Sequence, residues 1–459
     1  MNSFNLNFSR SSSSSSSSSD ERRSSRAIID QEIDDFLTNI VQPLAPTLIS
    51  NVTLIPRNRR AKVTDDNEEG HSQPNRGKKE GHRRLFNDYF ADQPVYPARL
   101  FRRRFRMQRH VFLRIMESVV AIDVWFTQKR DATGQLSLSP LQKCTAAIRM
   151  LAYGVAADSL DEYVRISEST TRISLMKFTK GVITKFGTEY LRRPTPDDLA
   201  RLLRFGEESG FSGMVGSIDC MHWEWKNCLT AWKGQYQGRA GVATLVLEAV
   251  DADRDLWTWH SFFRIPGSCN DLHVLHQSPV FRDVLEGRAP PVQFTVNGNQ
   301  YDKGYYLTNG IYLNWATFIQ SVTCPQTLKD KLFAQHQEGA RKDIERAFGV
   351  LQSQFAIVRR PSLAWDEEIL NDIMLSCIMI MHNMIVEDER DTYAYYADTT
   401  EFTTNTSNNG DEFEYYHDRI VDINQYMANR DAIEDQHVHH SLKRDLVANI
   451  RHKFGGNAN

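Results

Sequence analysis

Met214 to Trp225 reads MVGSIDCMHWEW, an apolar, strand-like run that delivers one carboxylate, Asp219, into a polar and aromatic turn. A buried strand fixes the backbone of such an acid, and the turn after it leaves room for an ion and a substrate, so the position suits a metal ligand. Taken alone, the same pattern also describes an ordinary turn or capping aspartate. Function at Asp219 therefore depends on what stands at fixed distances downstream.

Downstream, the pattern predicts mixed strands and helices. Val242 to Val250 (VATLVLEAV) and Leu256 to Phe263 (LWTWHSFF) read as strands joined by a turn over Asp251 to Asp255, forming an antiparallel three-stranded unit with the first run. Pro266 to Asp271 (PGSCND) leads into a helix from Leu272 to Phe281, with Asp271 near its N-cap. After a Pro-rich loop, Gly287 to Pro291, come short strands at Val292 to Val296 and Lys303 to Leu307, the second ending in Thr308-Asn309-Gly310. A helix from Gln337 to Phe355 buries Ile344, Phe348, Leu351 and Phe355, and Glu345 lies beside that stripe in line with Glu338 and Arg341. Pairing with Arg341 one turn back is a sufficient structural reason for Glu345. Ile369 to Val386 and Ala432 to Phe454 give two further helices, separated by an acidic, Asn-rich loop.

Upstream, residues 1 to 96 read as a disordered tail, with a serine tract at Ser11 to Ser19 and few apolar residues to offset chain entropy. Its basic clusters, Arg57 to Lys62 and Arg76 to Arg84, suit nuclear import or phosphate contact. Phe101 to Ile122 predicts a helix with Phe105, Phe112, Ile115, Met116 and Val119 on one face. Arg102, Arg103, Arg104, Arg106 and Arg109 open it, where they suit a DNA backbone. A helix over Leu141 to Tyr153, a short segment at Leu160 to Arg165, and a helix from Ser167 to about Phe186 carrying Arg172, Lys177 and Lys180 outline a helix-turn-helix. A three-helix bundle without DNA affinity has the same outline. Pro194 and Pro196 mark a boundary near residue 200. Four regions result: tail 1–96, helical domain 97–200, mixed domain 201–386, and acidic loop with C-terminal helix 387–459. In the mixed domain, Lys226, Trp232, Lys233, Tyr236 and Arg239 interleave cations with aromatics, which suits nucleic acid and equally a plain solvated loop.

The 459 residues carry a net charge of -3, which hides a basic N-terminal portion and an acidic stretch from Asp388 to Asp422. No uninterrupted apolar run approaches the ~20 residues of a membrane span. Met1 to Asp20 lacks the apolar segment of a signal peptide, so a soluble intracellular protein without a membrane partner is expected. The six cysteines show no paired spacing, consistent with a reducing compartment. Cys220, His222 and Cys228 lack the second close pair of a structural zinc site.

The stretches GSIDCMHWEWKNC, AWKGQYQGR, TLVLEAVDADRDLWTWHSFF, PGSCNDLHVLHQSPVF, YDKGYYLTNGIYLNW, ARKDIERAFGVLQSQFAIVRRP and MHNMIVEDER resemble the plant PIF/Harbinger transposase family and the nucleases derived from it. The resemblance spans roughly residues 95 to 390. It implies an RNase H-like α/β core behind a helix-turn-helix-like domain, acting on DNA in the nucleus. It also implies two Asp and one Glu holding Mg²⁺ or Mn²⁺, and a Myb/SANT-like DNA-binding partner. Asp219 matches the first acid and Glu345 the last. At the second, the family's YYL-x-D-GIY pattern becomes Tyr305-Tyr306-Leu307-Thr308-Asn309-Gly310-Ile311-Tyr312, with 35 residues between Asn309 and Glu345. Phe263-Arg264 also replaces the usual Phe-Gly, and nothing in the sequence explains it.

Asn309 brings a neutral amide where an anionic ligand is needed, which weakens binding of a second ion and impairs cleavage. Asp271 is the residue placed to compensate, with Asp302 as a lesser substitute. Arg172, Lys177, Lys180, Lys226, Lys233, Arg239, Arg341 and Lys342 are the expected DNA contacts. The expectation is a DNA-associated, Harbinger-derived protein with reduced nuclease activity, able to self-associate. The alternatives are an active metal-dependent endonuclease completed by Asp271, and a nuclear interaction scaffold.

Overall fold

The computed structural model describes residues 76–130, 134–238, 241–251, 256–289, 291–394 and 423–455. Among the described residues seven α-helices come first: α1 (Lys78–Tyr89), α2 (Ala98–Phe105), α3 (Arg109–Ile122), α4 (Pro140–Tyr153), α5 (Asp161–Val164), α6 (Glu168–Tyr190) and α7 (Pro196–Glu208). The mixed region follows as β1 (Met214–Glu224), α8 (Lys233–Tyr236), β2 (Thr244–Asp251), β3 (Thr258–Pro266), α9 (Asp271–Gln277) and α10 (Pro279–Leu285). Next are β4 (Phe294–Val296), β5 (Asn299–Tyr301), β6 (Tyr305–Thr308), β7 (Phe318–Gln320) and α11 (Leu328–Gln354). The chain then runs through α12 (Glu367–Leu375), a π-helical turn (Ser376–His382), α13 (Asn383–Ala394), α14 (Ile423–Glu434) and α15 (Gln436–Phe454).

The sheet has the order β3-β2-β1-β6-β7. β1, β2 and β3 pair antiparallel, whereas β6 runs parallel to β1 and β7 parallel to β6. All eight residues of β2 are buried, as befits a strand covered on both faces. On one face α11 and α15 enclose Phe211, Met214, Tyr305, Leu307, Ile319 and Phe333. On the other, α9, α10 and α14 cover Ile218, Val250, Phe281, Trp315 and Phe318. Gly213 turns the chain into β1 with φ 84° beneath the Phe294 ring, where an added Cβ would lie 2.3 Å from a ring carbon. No other residue fits there.

Several boundaries differ from the sequence reading. The stretch expected to be tail contains α1, whose Leu85 and Tyr89 are buried one turn apart; a single apolar line among charges is hard to see in composition. The predicted Phe101 to Ile122 helix is two helices, because Arg106 adopts a left-handed φ of 65° between them. The helix carrying Glu345 begins earlier than predicted, at a Thr327 cap whose hydroxyl accepts the Asp330 N–H. β4 pairs with β5 outside the main sheet, and β7 was not foreseen. One hydrophobic cluster runs from Leu85 to Ile385, straight across the boundary expected near residue 200.

Helix Glu367–Arg390 is long and apolar enough to cross a bilayer, although charges interrupt its apolar run, and 76% of its most apolar window is buried inside the protein. That burial is the signature of a core helix. All six cysteines are free.

Candidate functional site

Asp219 does not end its strand, because β1 continues to Glu224. It does stand where β6 leaves β1: the parallel pairing reaches Ser217 opposite Leu307, and β6 stops at Thr308. Two residues beyond that last pair lie Asp219 on one chain segment and Asn309 on the other. Helix α11 crosses the same edge. Its buried Gln337 donates Nε2–H to the carbonyls of Thr308 at 3.0 Å and Ile319 at 3.3 Å, which ties the helix to the ends of β6 and β7. Arg341 and Glu345 follow one and two turns later on the same helical line, so anchoring Gln337 aims both at Asp219.

The outcome is a bridge. Arg341 donates from Nη1 to Asp219 Oδ2 at 3.2 Å and from Nη2 to Glu345 Oε1 at 2.7 Å. Asp219 and Arg341 are mostly covered, with side-chain exposures of 17% and 19%, while Glu345 is 45% exposed, so the pair nearer the sheet is the less screened. Burial pushes the Asp219 carboxyl above its usual range, opposed by the Cys220 N–H it accepts and by the Arg341 charge; Glu345 and Asp271 push it further upward. Asp271 therefore acts on the same site. It is not the cap of α9, since Asn270 Oδ1 accepts the His273 N–H at 2.9 Å and leaves Asp271 as the first helical residue. Asn309 is occupied locally, its Oδ1 accepting the Ile311 N–H at 3.1 Å. Asp302 is exposed and lies 3.6 Å from Lys303.

A divalent ion needs anionic oxygens converging on one point. Between Asp219 and Glu345 that point is already served by a guanidinium, and Asn309 turns its oxygen to the backbone. Among the described residues no group of three or more His, Cys, Asp or Glu is arranged to hold a metal, Cys220, His222 and Cys228 included. As arranged, the residues do not fit the two-ion site that the resemblance implies.

The cations expected to meet DNA mostly meet acids of their own chain. Arg172 pairs with Glu168, Lys177 with Asp123 and Lys342 with Glu338, and Lys180 lies 3.9 Å from both Glu368 and Asp372. Helix α6 is a core element that buries Leu175, Phe178, Val182 and Phe186, which limits the face it can offer to a groove. Lys226 and Lys233 are exposed beside the exposed Trp232. Arg239 and the Arg57 to Lys62 cluster lie outside the described residues. In the other basic cluster Arg76 pairs with Asp161 and Arg83 with Glu80.

Sequence reasoning weighed Arg341 as a local partner of Glu345 and as a DNA contact, but missed its second bond, to Asp219. The i, i+4 spacing signals the first contact; the second needs the helix placed on the sheet.

A family model described as plant transposon protein matches residues 188–393, a span holding the whole five-stranded sheet together with Asp219, Asp271, Asn309 and Glu345. A second model, a domain of unknown function, matches residues 81–120. The first match supports a plant transposon-related family and a transposase-derived origin for the mixed α/β region. Neither curated proteins nor solved structures gave a match.

Proposed function

We propose that the protein is a PIF/Harbinger-type transposase derivative that associates with DNA in the nucleus and has lost most or all of its strand-cleaving activity. Three antiparallel strands extended by two parallel ones support an RNase H-like core. The plant transposon match supports the transposase origin. A Myb/SANT-like DNA-binding partner belongs to the same reading.

The observation that carries the impairment is the neutral Asn309 in register beside Asp219, which Arg341 already bridges to Glu345. An internal cation and an amide replace one unit of positive and one of negative charge that phosphodiester chemistry would draw from ions and a third acid. A second reading is an active nuclease completed by Asp271, favoured by the influence of Asp271 on Asp219.

Nicking of supercoiled plasmid in Mn²⁺ separates the two. The protein and its Asn309→Asp variant are compared, each with and without Asp219→Ala. Nicking by Asn309→Asp alone, abolished by Asp219→Ala, is the expected result. Nicking by the unaltered protein that stops on Asp219→Ala would replace the impaired reading with the Asp271 one.

A further inference from the structure

Arg103, Arg104 and Arg106 line one cleft of about 300 Å³ together with Leu100 and Tyr153, where the break between α2 and α3 meets the end of α4. Among the described residues no carboxylate lines it. That sets it apart from Arg172, Lys177, Arg341 and Lys342, which are matched by acids in sequence or across the fold. The neighbouring Arg102 is drawn away to Glu389, leaving the other three on the cleft.

The cleft is built by the fold. Arg104 donates to the Tyr89 hydroxyl and lies 4.0 Å from the centroid of the Tyr96 ring, so its guanidinium is held in position. Arg106 is itself the left-handed residue that ends α2, and its guanidinium lies 5.5 Å from the Tyr153 ring centroid. Its Nε is buried without a hydrogen-bond partner among the described residues. A buried N–H on a cation that meets no acceptor leaves free energy for an anion to recover.

We propose that this cleft is a phosphodiester-binding site that seats a nucleic-acid backbone, an inference that rests on the DNA-associated reading above. Planar guanidinium groups fork onto phosphate oxygens. Contacts of this kind, made to phosphate, position nucleic acid without themselves selecting sequence.

The test follows a fluorescent duplex by anisotropy across a range of NaCl concentrations, using the full chain. Each phosphate neutralised contributes about 0.9 to the slope of log K against log salt. Arg103→Gln/Arg106→Gln is therefore expected to weaken binding about tenfold and to flatten the slope by about 2. Arg106→Lys keeps the charge and should retain most of the affinity. Arg103→Gln alone, on an exposed helical position, should flatten the slope by about 1 even if changes at Arg106 disturb folding.

If the chain binds duplex and the double variant matches it in affinity and slope while Lys226→Gln/Lys233→Gln does not, the cleft is the wrong surface and the DNA reading stands. If the chain does not bind duplex at low salt, both fail. Saturable binding of inorganic phosphate that disappears in the double variant, with duplex affinity unchanged, would assign the cleft to a free anion and overturn the backbone proposal.

Discussion

Ser217 on β1 pairs in parallel register with Leu307 on β6, and two residues beyond that pair each chain segment presents its polar group, Asp219 on one side and Asn309 on the other. Position 309 therefore belongs to the same edge of the sheet as the two acids that share Arg341.

An aspartate at 309 can accept the Ile311 N–H as Asn309 does, so Asn309→Asp should keep the turn and add only charge. It adds a further carboxylate at the sheet edge where Asp219 already feels Glu345 and Asp271, with Arg341 as counter-cation. Stability at neutral pH should fall by about 1 kcal/mol in low salt and recover part of that at ~0.5 M NaCl. Urea unfolding at the two salt concentrations measures this, and a salt-independent difference would put residue 309 out of range of the acids.

Replacing Arg341 by methionine keeps the stem and removes the cation, leaving Asp219 and Glu345 without the group that joins them. Removal of one partner from a largely covered ion pair costs about 1–3 kcal/mol, discounted here for the exposure of Glu345. Arg341→Met should also expose the two acids to cations. Millimolar Mn²⁺ is expected to raise the melting temperature of the variant more than that of the unaltered protein. Equal shifts in both would show that the guanidinium does not keep ions out.

Much of this site is legible in the chain because its parts are local. Asp219 announces itself as one acid in an apolar run, and Glu345 and Arg341 share a face by helical spacing. The gap came from pairings between segments far apart in sequence. Gln337 gives no sign that it will bind the ends of β6 and β7, and so none that Arg341 will reach β1. β7 has too few residues to show a period, and it is recognised by pairing with β6. The MHNMIVEDER stretch shows the reverse case, a legible motif whose purpose is structural. Asn383 accepts the Thr258 N–H and donates to the Thr258 carbonyl, and His382 Nε2 donates to the Leu256 carbonyl, so the pair fastens the start of β3.

His382 carries a pH dependence of its own. Its ring is buried, which holds its pKa down to about 4 despite the bond to Leu256. Between the unfolded value near 6.5 and about 4, the unfolded chain takes up a proton that the folded one refuses. The contribution is thus complete above pH ~6.5 and lost as pH falls towards 4, by about 3 kcal/mol in all. Urea unfolding from pH 7.5 to 4.5 should show most of the decline, and His382→Gln should flatten it by about 2.5 kcal/mol over that window. An unchanged profile in the variant would assign acid lability to other groups.

Helix α15 lies beyond the plant transposon match, yet it behaves as part of the sheet's own core. Leu446 and Ile450 are fully buried against the cluster that holds Phe211, Met214, Tyr305 and Phe333. Asp445 accepts from Asn299 Nδ2 and the Tyr301 hydroxyl, both at 2.7 Å, which fastens the β4–β5 hairpin to the helix. Met214 begins β1 and Tyr305 begins β6, so loosening α15 relaxes the strands that set Asp219 beside Asn309. Leu446→Ala should cost about 2–4 kcal/mol through lost burial and the cavity left behind. The exposed Arg444→Ala, two residues away, should change stability by less than ~0.5 kcal/mol. Chemical denaturation of both variants decides the point: equal, small effects would make α15 an appendage, whereas the expected contrast makes it a structural wall of the site.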